Sequence, residues 1–408
     1  MDFKELTSAL GFENIPDFLE ELYNSSEEEY LKLGLWYLEE KFLCECQEKY
    51  NFFGPYFEEC SKAAKQIKED KYLGRYLSLL RYIVTDRTEE AVRLFGRVPL
   101  PKATGEDDLL KTEMMPFFVY PPEAEHIDTF LREKGFPEES VKSAIEGFFH
   151  SIGGFKGRFG RVGFERLYLV WCMHFAECKL VKFGALEFEL KKFDGAVSYF
   201  VNNSGGYVIL GDGMTYHKSG NRLGNLNFTD EEGSFEADLI ETDEYFEGVK
   251  IKNCLAVNRR VKLSKSEWKR VLKKGDNIIN VHIPGGTDLS KETLDETFRD
   301  AEKLFAGAFP DYNAKAFVCF SWLMDPELER MLKPSAKIVG FQNRFMRFPM
   351  ISAGKDVFIF LFKEKFEKYE DLPENTSLER AVKQYYIDGN CIHKFGGAFF
   401  TELQEKNR

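Results

Sequence analysis

His282 is the residue best placed to do chemistry. It ends the run Asn277-Ile278-Ile279-Asn280-Val281-His282, whose β-branched residues predict a strand. A histidine near the end of a central strand sits where ligands gather in open α/β sheets. It can act as a general base near neutral pH. It can equally be a structural histidine that ties down the turn after it, and both readings stay open. That turn is Pro284-Gly285-Gly286-Thr287-Asp288-Leu289-Ser290. Proline and two glycines end the strand, and Ser290 is a suitable N-cap. Leu294, Phe298, Ala301 and Phe305 then recur on one helical face. A strand that turns through glycines into a helix offers backbone N–H groups and a helix dipole to a phosphate or carboxylate. Most turns before helices bind nothing, however, and Asp288 could cap those N–H groups itself and repel an anion.

Other candidates flank this unit. Glu187 and Glu189 lie two apart and share one face of a strand, with Leu186 and Phe188 facing the core. They read either as surface carboxylates or as a base or ammonium partner in a cleft. Ser321 and Trp322 lie on the following strand, in the run that starts at Ala316, next to the helix cap Asp325-Pro326. Trp322 reads as core, while Ser321 could donate to a carbonyl. Asp325 has a sufficient role as an N-cap before Pro326. Gln342 and Asn343 could be polar liners. The sequence carries no serine or cysteine triad signature, Walker loop or zincin helix.

The elements that must position these residues follow from periodicity. Up to about residue 180 the apolar spacing is helical: Phe3 to Leu10, Pro16 to Tyr23, Glu28 to Tyr50, Pro55 to Lys68, Lys71 to Leu94, Glu123 to Lys134, Pro137 to Ile152 and Glu165 to Ala176. Pro99 to Glu123, with five prolines, reads as a long connection. Gly153 to Gly163 alternates glycines with Lys156, Arg158 and Arg161. It reads as a flexible elbow or, less readily, as a phosphate loop. Strands are expected over Ala185–Leu190, Ala196–Val201, Gly206–Leu210, Met214–His217, Ser234–Ile240, Leu255–Leu263, Met346–Ile351 and Asp356–Phe362, with Gly397–Phe400 as a last edge strand. Ser264 to Lys273 and Thr376 to Tyr386 read as helices. The fold class is therefore α+β: a helical N-terminal domain, 1–180, followed by a mixed, mostly antiparallel sheet flanked by helices, 181–408.

Composition narrows the function classes. The 408 residues carry a formal net charge of −12, which argues against a general nucleic-acid binder. The first fifty residues hold 13 acidic and 4 basic side chains, most simply a solvated acidic face. Eight scattered cysteines lack zinc spacing, so no metal is expected. Free thiols, no signal-like start and no membrane-length apolar run suggest a soluble cytoplasmic protein.

The segments Val281-His282-Ile283-Pro284, Ser321-Trp322-Leu323-Met324-Asp325-Pro326, Phe341-Gln342 and Phe183-Gly184-Ala185-Leu186-Glu187-Phe188-Glu189 resemble the GNAT-like C-terminal domain of a bacterial acyltransferase family. The resemblance covers about residues 160 to 350. The helical first half is similar to that family's N-terminal domain in arrangement. The resemblance implies transfer of an acyl group from acyl-CoA, as cosubstrate, to a small-molecule or peptide amine by direct attack. It implies catalytic roles for His282, Glu187, Glu189 or Ser321. It implies cosubstrate contacts from Ile283, Gly285, Gly286, Thr287, Leu289, Ser290, Trp322 and Gln342. The chain departs from the wider GNAT pattern by having Pro-Gly-Gly-Thr-Asp where an Arg or Gln and spaced glycines are usual. The alternative is a GNAT-fold protein that senses a ligand or binds a partner without turnover.

Overall fold

The computed structural model describes residues 1–86, 89–362 and 366–401. The chain divides into two compact units, Met1–Lys182 and Phe183–Arg408.

The first unit is helical up to the start of β-structure at its very end, with helices from Phe3–Ala9 to Arg166–Ala176 among the described residues. Its core is aromatic: the rings of Phe52 and Phe148 stack at 4.8 Å, Phe117 tilts against Phe52 and Tyr120 against Phe148, and Phe164 meets Phe117 and Tyr120 edge-on. Two expectations fail here. The proline-rich stretch 99–123 is no loose connection. It contains the helix Glu106–Met114 and two 3-10 turns, and Met114, Met115, Phe117, Phe118, Val119 and Tyr120 are wholly buried. The apolar side chains outweigh the turn signals. Nor is the glycine-rich stretch 153–163 an elbow. A single helix runs Glu138–Phe159 through most of it and ends at Gly160 in the left-handed conformation. The helix expected over Lys71 to Leu94 is present as Lys71–Asp86 and Glu89–Phe95; Arg87 and Thr88 lie outside the described residues.

The second unit is built on strands β1 (Leu180–Phe183, which straddles the division), β2 (Leu186–Lys192), β3 (Val197–Asn202), β4 (Tyr207–Gly211), β5 (Met214–Tyr216), β6 (Phe235–Ala237), β7 (Ile240–Glu241), β8 (Tyr245–Lys252), β9 (Leu255–Ser264), β10 (Trp268–Leu272), β11 (Asn277–His282), β12 (Phe317–Ser321), β13 (Met346–Pro349) and β14 (Phe395–Phe399). One sheet has the order β1-β2-β11-β12-β14-β13, a second the order β10-β3-β4-β8-β7 with β9 on β8, and β5 and β6 form a ribbon. The β11–β12 pair is parallel; β2–β11, β12–β14 and β13–β14 are antiparallel. One face of the first sheet is covered by the Lys291–Ala308 helix, where Phe188 meets Phe298, Phe305 and Phe317. On the opposite face Ile278, Val318, Phe348 and Ala398 join Tyr199, Tyr216 and Leu272 in one buried cluster. The Tyr199 hydroxyl donates to the Met346 carbonyl at 2.7 Å, linking strands of the two sheets.

Three expectations are corrected, and one strand has no counterpart among the expected ones. Residues 264–273 hold a turn and strand β10, not a helix; β10 pairs with β3, and a ladder overrides a weak helical pattern. Strand β8 went unrecognised because Glu247, Lys250 and the central Gly248 dilute its alternation. The apolar run Phe358–Phe362 is a π-helical turn rather than a strand. Strand β14 lies inside the sheet, between β12 and β13, and not at its edge. Glycines explain that placement: a Cβ on Gly397 would press on Phe345 and Met324, and Gly396 lies under the Phe348 ring.

Candidate active site

Register decides which polar groups meet. In the β2–β11 ladder Glu189 stands opposite Asn280, and Glu187 opposite His282. Residues opposite one another in a ladder share a face, so these four side chains stand together. They lie on the face away from the Lys291–Ala308 helix. The Asn280 amide Nδ2 donates to Glu189 Oε2 at 2.8 Å. His282 Nε2 lies 2.9 Å from the same oxygen and 3.0 Å from Asn280 Nδ2. Glu189 is 7 % exposed and Asn280 3 %, whereas His282 is half-buried. Glu189 is thus not a surface carboxylate.

The convergence selects a tautomer. A carboxylate oxygen accepts from both neighbours only if Nε2 carries a hydrogen. With Nε2 bare, its lone pair would face the carboxylate. The Nε2–H form leaves Nδ1 as the basic nitrogen of the ring. One polar atom is left over. Asn280 Oδ1 is buried with no hydrogen-bond partner among the described residues. Leaving a buried acceptor unmet costs about 1–3 kcal/mol.

The strands open beside this cluster. The β11–β12 ladder pairs only Ile279 with Phe317 and Asn280 with Val318, although β11 continues to His282 and β12 to Ser321. The two strands part at their C-terminal ends, where parallel strands direct ligands. At the end of β12 the Ser321 hydroxyl accepts from Leu323 N at 3.1 Å and starts a 3-10 turn at Trp322. Ser321 therefore has a structural task. Trp322 is buried. Gln342 is 0 % exposed, and its amide donates to the carbonyls of Leu323 (2.6 Å) and Asp325 (3.0 Å), so it braces the turn from inside. Asp325 accepts from Glu327 N and from His393 N at 2.9 and 2.6 Å; burial pushes its carboxyl up to about 7.

At the end of β11 the chain turns through Ile283, Gly285 and Gly286. Both glycines are exposed, with nothing near the place of a Cβ, and Gly286 has φ +79°. Thr287 Oγ1 donates to the Ala185 carbonyl at 3.2 Å, holding the turn to the start of β2. The Ser290 side chain makes no capping hydrogen bond to the Lys291–Ala308 helix. Its hydroxyl donates instead to Asp288, which also accepts from Ser290 N and Thr293 Oγ1 and pairs with Lys337 at 2.6 Å. These partners hold the Asp288 carboxyl well below the usual carboxylate range, the Lys337 bond being the largest cause. Lys337 offsets the charge that would otherwise repel an anion. Leu289 is half-buried beside this knot.

The structure thus brings His282, Glu187 and Glu189 together and adds Asn280, which sequence reasoning missed. Its signal was available: Asn280 is two residues before His282 in a strand, hence on the same face. Ser321, Trp322 and Gln342 gather at the end of β12, and Ile283 to Ser290 at the end of β11. Among the described residues no group of three or more His, Cys, Asp or Glu side chains is arranged to hold a metal. Also among them, no helix is long and apolar enough to cross a membrane.

Comparison with known proteins places the chain by family and fold. The family model for the GNAT-like C-terminal domain matches residues 180–399, and the chain belongs to that family. Two similar solved structures are an acyltransferase in complex with decanoyl-CoA and teicoplanin, and a mutant acyltransferase in complex with octanoyl-CoA. Each is 16 % identical, with a TM-score of 0.65 over 98 % of this chain and 99 % of that one. A third, with CoA and 10C-teicoplanin, matches equally. At that identity the likeness is one of fold, and it extends through both units. No curated protein matches the chain in sequence.

Proposed function

We propose that the protein moves an acyl group from an acyl-CoA cosubstrate to a small-molecule or peptide amine. The observation that carries this reading is the imidazole–carboxylate pair, His282 Nε2 to Glu189 Oε2 at 2.9 Å, beside the opening between β11 and β12. Solved proteins of this fold hold octanoyl-CoA, decanoyl-CoA or CoA, two of them together with a glycopeptide, which supports it. The exposed Gly285-Gly286 turn and the helix start at Ser290 suit the pyrophosphate. Ile283, Thr287 and Leu289 flank it, and Trp322 and Gln342 support the β12 side from within.

Each residue then has a defined task. Glu189 is a positioning residue that fixes the His282 tautomer. His282 Nδ1 takes a proton from the ammonium, and the imidazolium formed rests against the Glu189 carboxylate. The amine lone pair attacks the thioester carbonyl, and backbone N–H groups on the parted strands hold the oxygen that gains charge. The nitrogen releases a second proton to solvent. The C–S bond breaks, and the thiolate takes its proton back from His282. Acyl-CoA and ammonium thus give amide, CoA thiol and one proton. Glu187, opposite His282, is placed to attract the incoming cation.

A thermal-shift series with acetyl-CoA, octanoyl-CoA, decanoyl-CoA and free CoA tests the reading first. Ligand at about a hundred times its Kd stabilises the native state by about 2.7 kcal/mol. Release of CoA thiol on adding amines tests the chemistry. Binding without release from any amine would favour the ligand-sensing alternative, and no binding of any of the four would end the transferase reading.

A further inference from the structure

One group in the cluster has no task in the scheme above. Asn280 is 3 % exposed, and its side chain can be assigned only one way round, because Nδ2 must face the Glu189 carboxylate. Its Oδ1 is then a buried acceptor with no partner among the described residues. It sits on the same amide as the nitrogen 3.0 Å from the His282 ring, next to the base and to the point where β11 and β12 part. Buried acceptors in folded proteins are almost always paired, with protein, ordered water or a ligand, and an acceptor left over beside a catalytic base is a place for a substrate donor. We propose that Asn280 Oδ1 holds the N–H that the attacking nitrogen keeps, and so makes the site discriminate by hydrogen count at the nucleophile. This deepens the proposed acyl transfer and rests on it.

Proton bookkeeping gives the inference its content. A primary ammonium, R–NH3+, carries three hydrogens. One goes to His282 and one to solvent, and the third stays in the product amide, R′–CO–NH–R. That third hydrogen can remain on Asn280 Oδ1 from binding through collapse of the tetrahedral intermediate. A secondary amine must surrender the hydrogen that Asn280 holds before its amide can form. An alcohol gives its only hydrogen to His282 and leaves Oδ1 unmet. Sites that contain a buried group for one substrate hydrogen reject analogues lacking it by large factors. The same N–H chemistry could instead come from an amide of the pantetheine arm of acyl-CoA, so the test must separate the two sources.

The test uses the full chain with octanoyl-CoA and three matched nucleophiles, hexylamine, N-methylhexylamine and hexanol, read as CoA thiol release. In the unaltered protein we expect kcat/KM for hexylamine to exceed that for either analogue by about a hundredfold or more, after allowing for their uncatalysed rates. Equal rates for hexylamine and N-methylhexylamine overturn the proposal and leave the transferase reading standing. Asn280→Leu, which keeps the branched shape in a somewhat larger side chain, removes Oδ1 together with the Nδ2 donor to Glu189, and should shrink the preference at least tenfold with octanoyl-CoA affinity unchanged. An unaltered preference in this variant, or a tenfold loss of octanoyl-CoA affinity with the preference intact, overturns it, the latter assigning Oδ1 to the pantetheine arm. If Asn280→Leu does not fold, the comparison of nucleophiles in the unaltered protein decides alone. Octanoyl-CoA binding with no release from any broad set of amines sinks the transferase reading itself, and this inference with it.

Discussion

Two glycine-bearing segments of this chain look alike in sequence and differ in use. Gly153 to Gly163 lies among basic residues, and Gly285-Gly286 sits between a strand and a helix. Either could approach a phosphate. In the first, three of the five glycines face the protein: a Cβ on Gly154 would overlap the Tyr168 hydroxyl, one on Gly163 the Phe155 ring, and one on Gly153 would crowd the Tyr56 hydroxyl, while Gly157 and Gly160 lie open at the end of the helix. Its charges are also engaged, Arg158 with Glu165, Arg161 with Glu113 at 2.5 Å, and Lys156 over the Tyr56 ring. In the second, both glycines are exposed with nothing within 4 Å. A glycine reserves space, and only the tertiary structure says whether a side chain or the solvent occupies it. The first segment is packing; the second is available to a ligand.

The comparison predicts that changes near the second segment affect chemistry and changes in the first affect stability. The largest effect belongs to His282→Gln, which keeps a hydrogen-bonding head but cannot take the proton. It should lower kcat by about a hundredfold or more, with octanoyl-CoA affinity nearly unchanged. Steady-state kinetics alongside calorimetry would measure this, and near-full turnover in a folded variant would remove His282 from the mechanism. Next is Gly285→Glu. The left-handed Gly286 is a poorer probe, because a side chain there strains the backbone as well. An anion on Gly285 should weaken octanoyl-CoA binding about tenfold with little change in Tm. Equal affinities by calorimetry would move the pyrophosphate elsewhere.

The smaller effects belong to the helical unit. Gly163→Ala sets a methyl against the buried Phe155 ring and should cost about 1–3 kcal/mol, seen as a lower melting temperature with octanoyl-CoA affinity intact. A loss of affinity at unchanged stability would instead revive the phosphate-loop reading of this segment. Gly157 is exposed within the Glu138–Phe159 helix and has nothing within 4 Å. Gly157→Ala should therefore gain about 0.5–1 kcal/mol from helix propensity, a rise of a few degrees or less. A drop in melting temperature there would overturn the reading of this helix face as open.

What the sequence determined by itself is local. Helical spacing gave way to alternation near residue 180, and the boundary between the compact units falls at Lys182. The strand, glycine turn and helix from Asn277 to Ala308 were legible because each uses signals within a few residues: β-branching, Pro-Gly-Gly, and apolar residues on one helical face. Glu187 and Glu189 sharing a face needed nothing beyond the two-residue period of a strand. The tertiary structure alone decided what that face meets. Glu189 becomes a buried partner of His282 because β2 and β11, some ninety residues apart in the chain, pair in a register that sets Glu189 against Asn280. A shift of one residue would turn the whole polar set to the other face, against Phe298 and Phe305. The same long-range pairing made 268–272 a strand and drew β14 into the middle of its sheet. Strand pairing is chosen by the burial of both partners together, so neither segment carries the choice in its own residues.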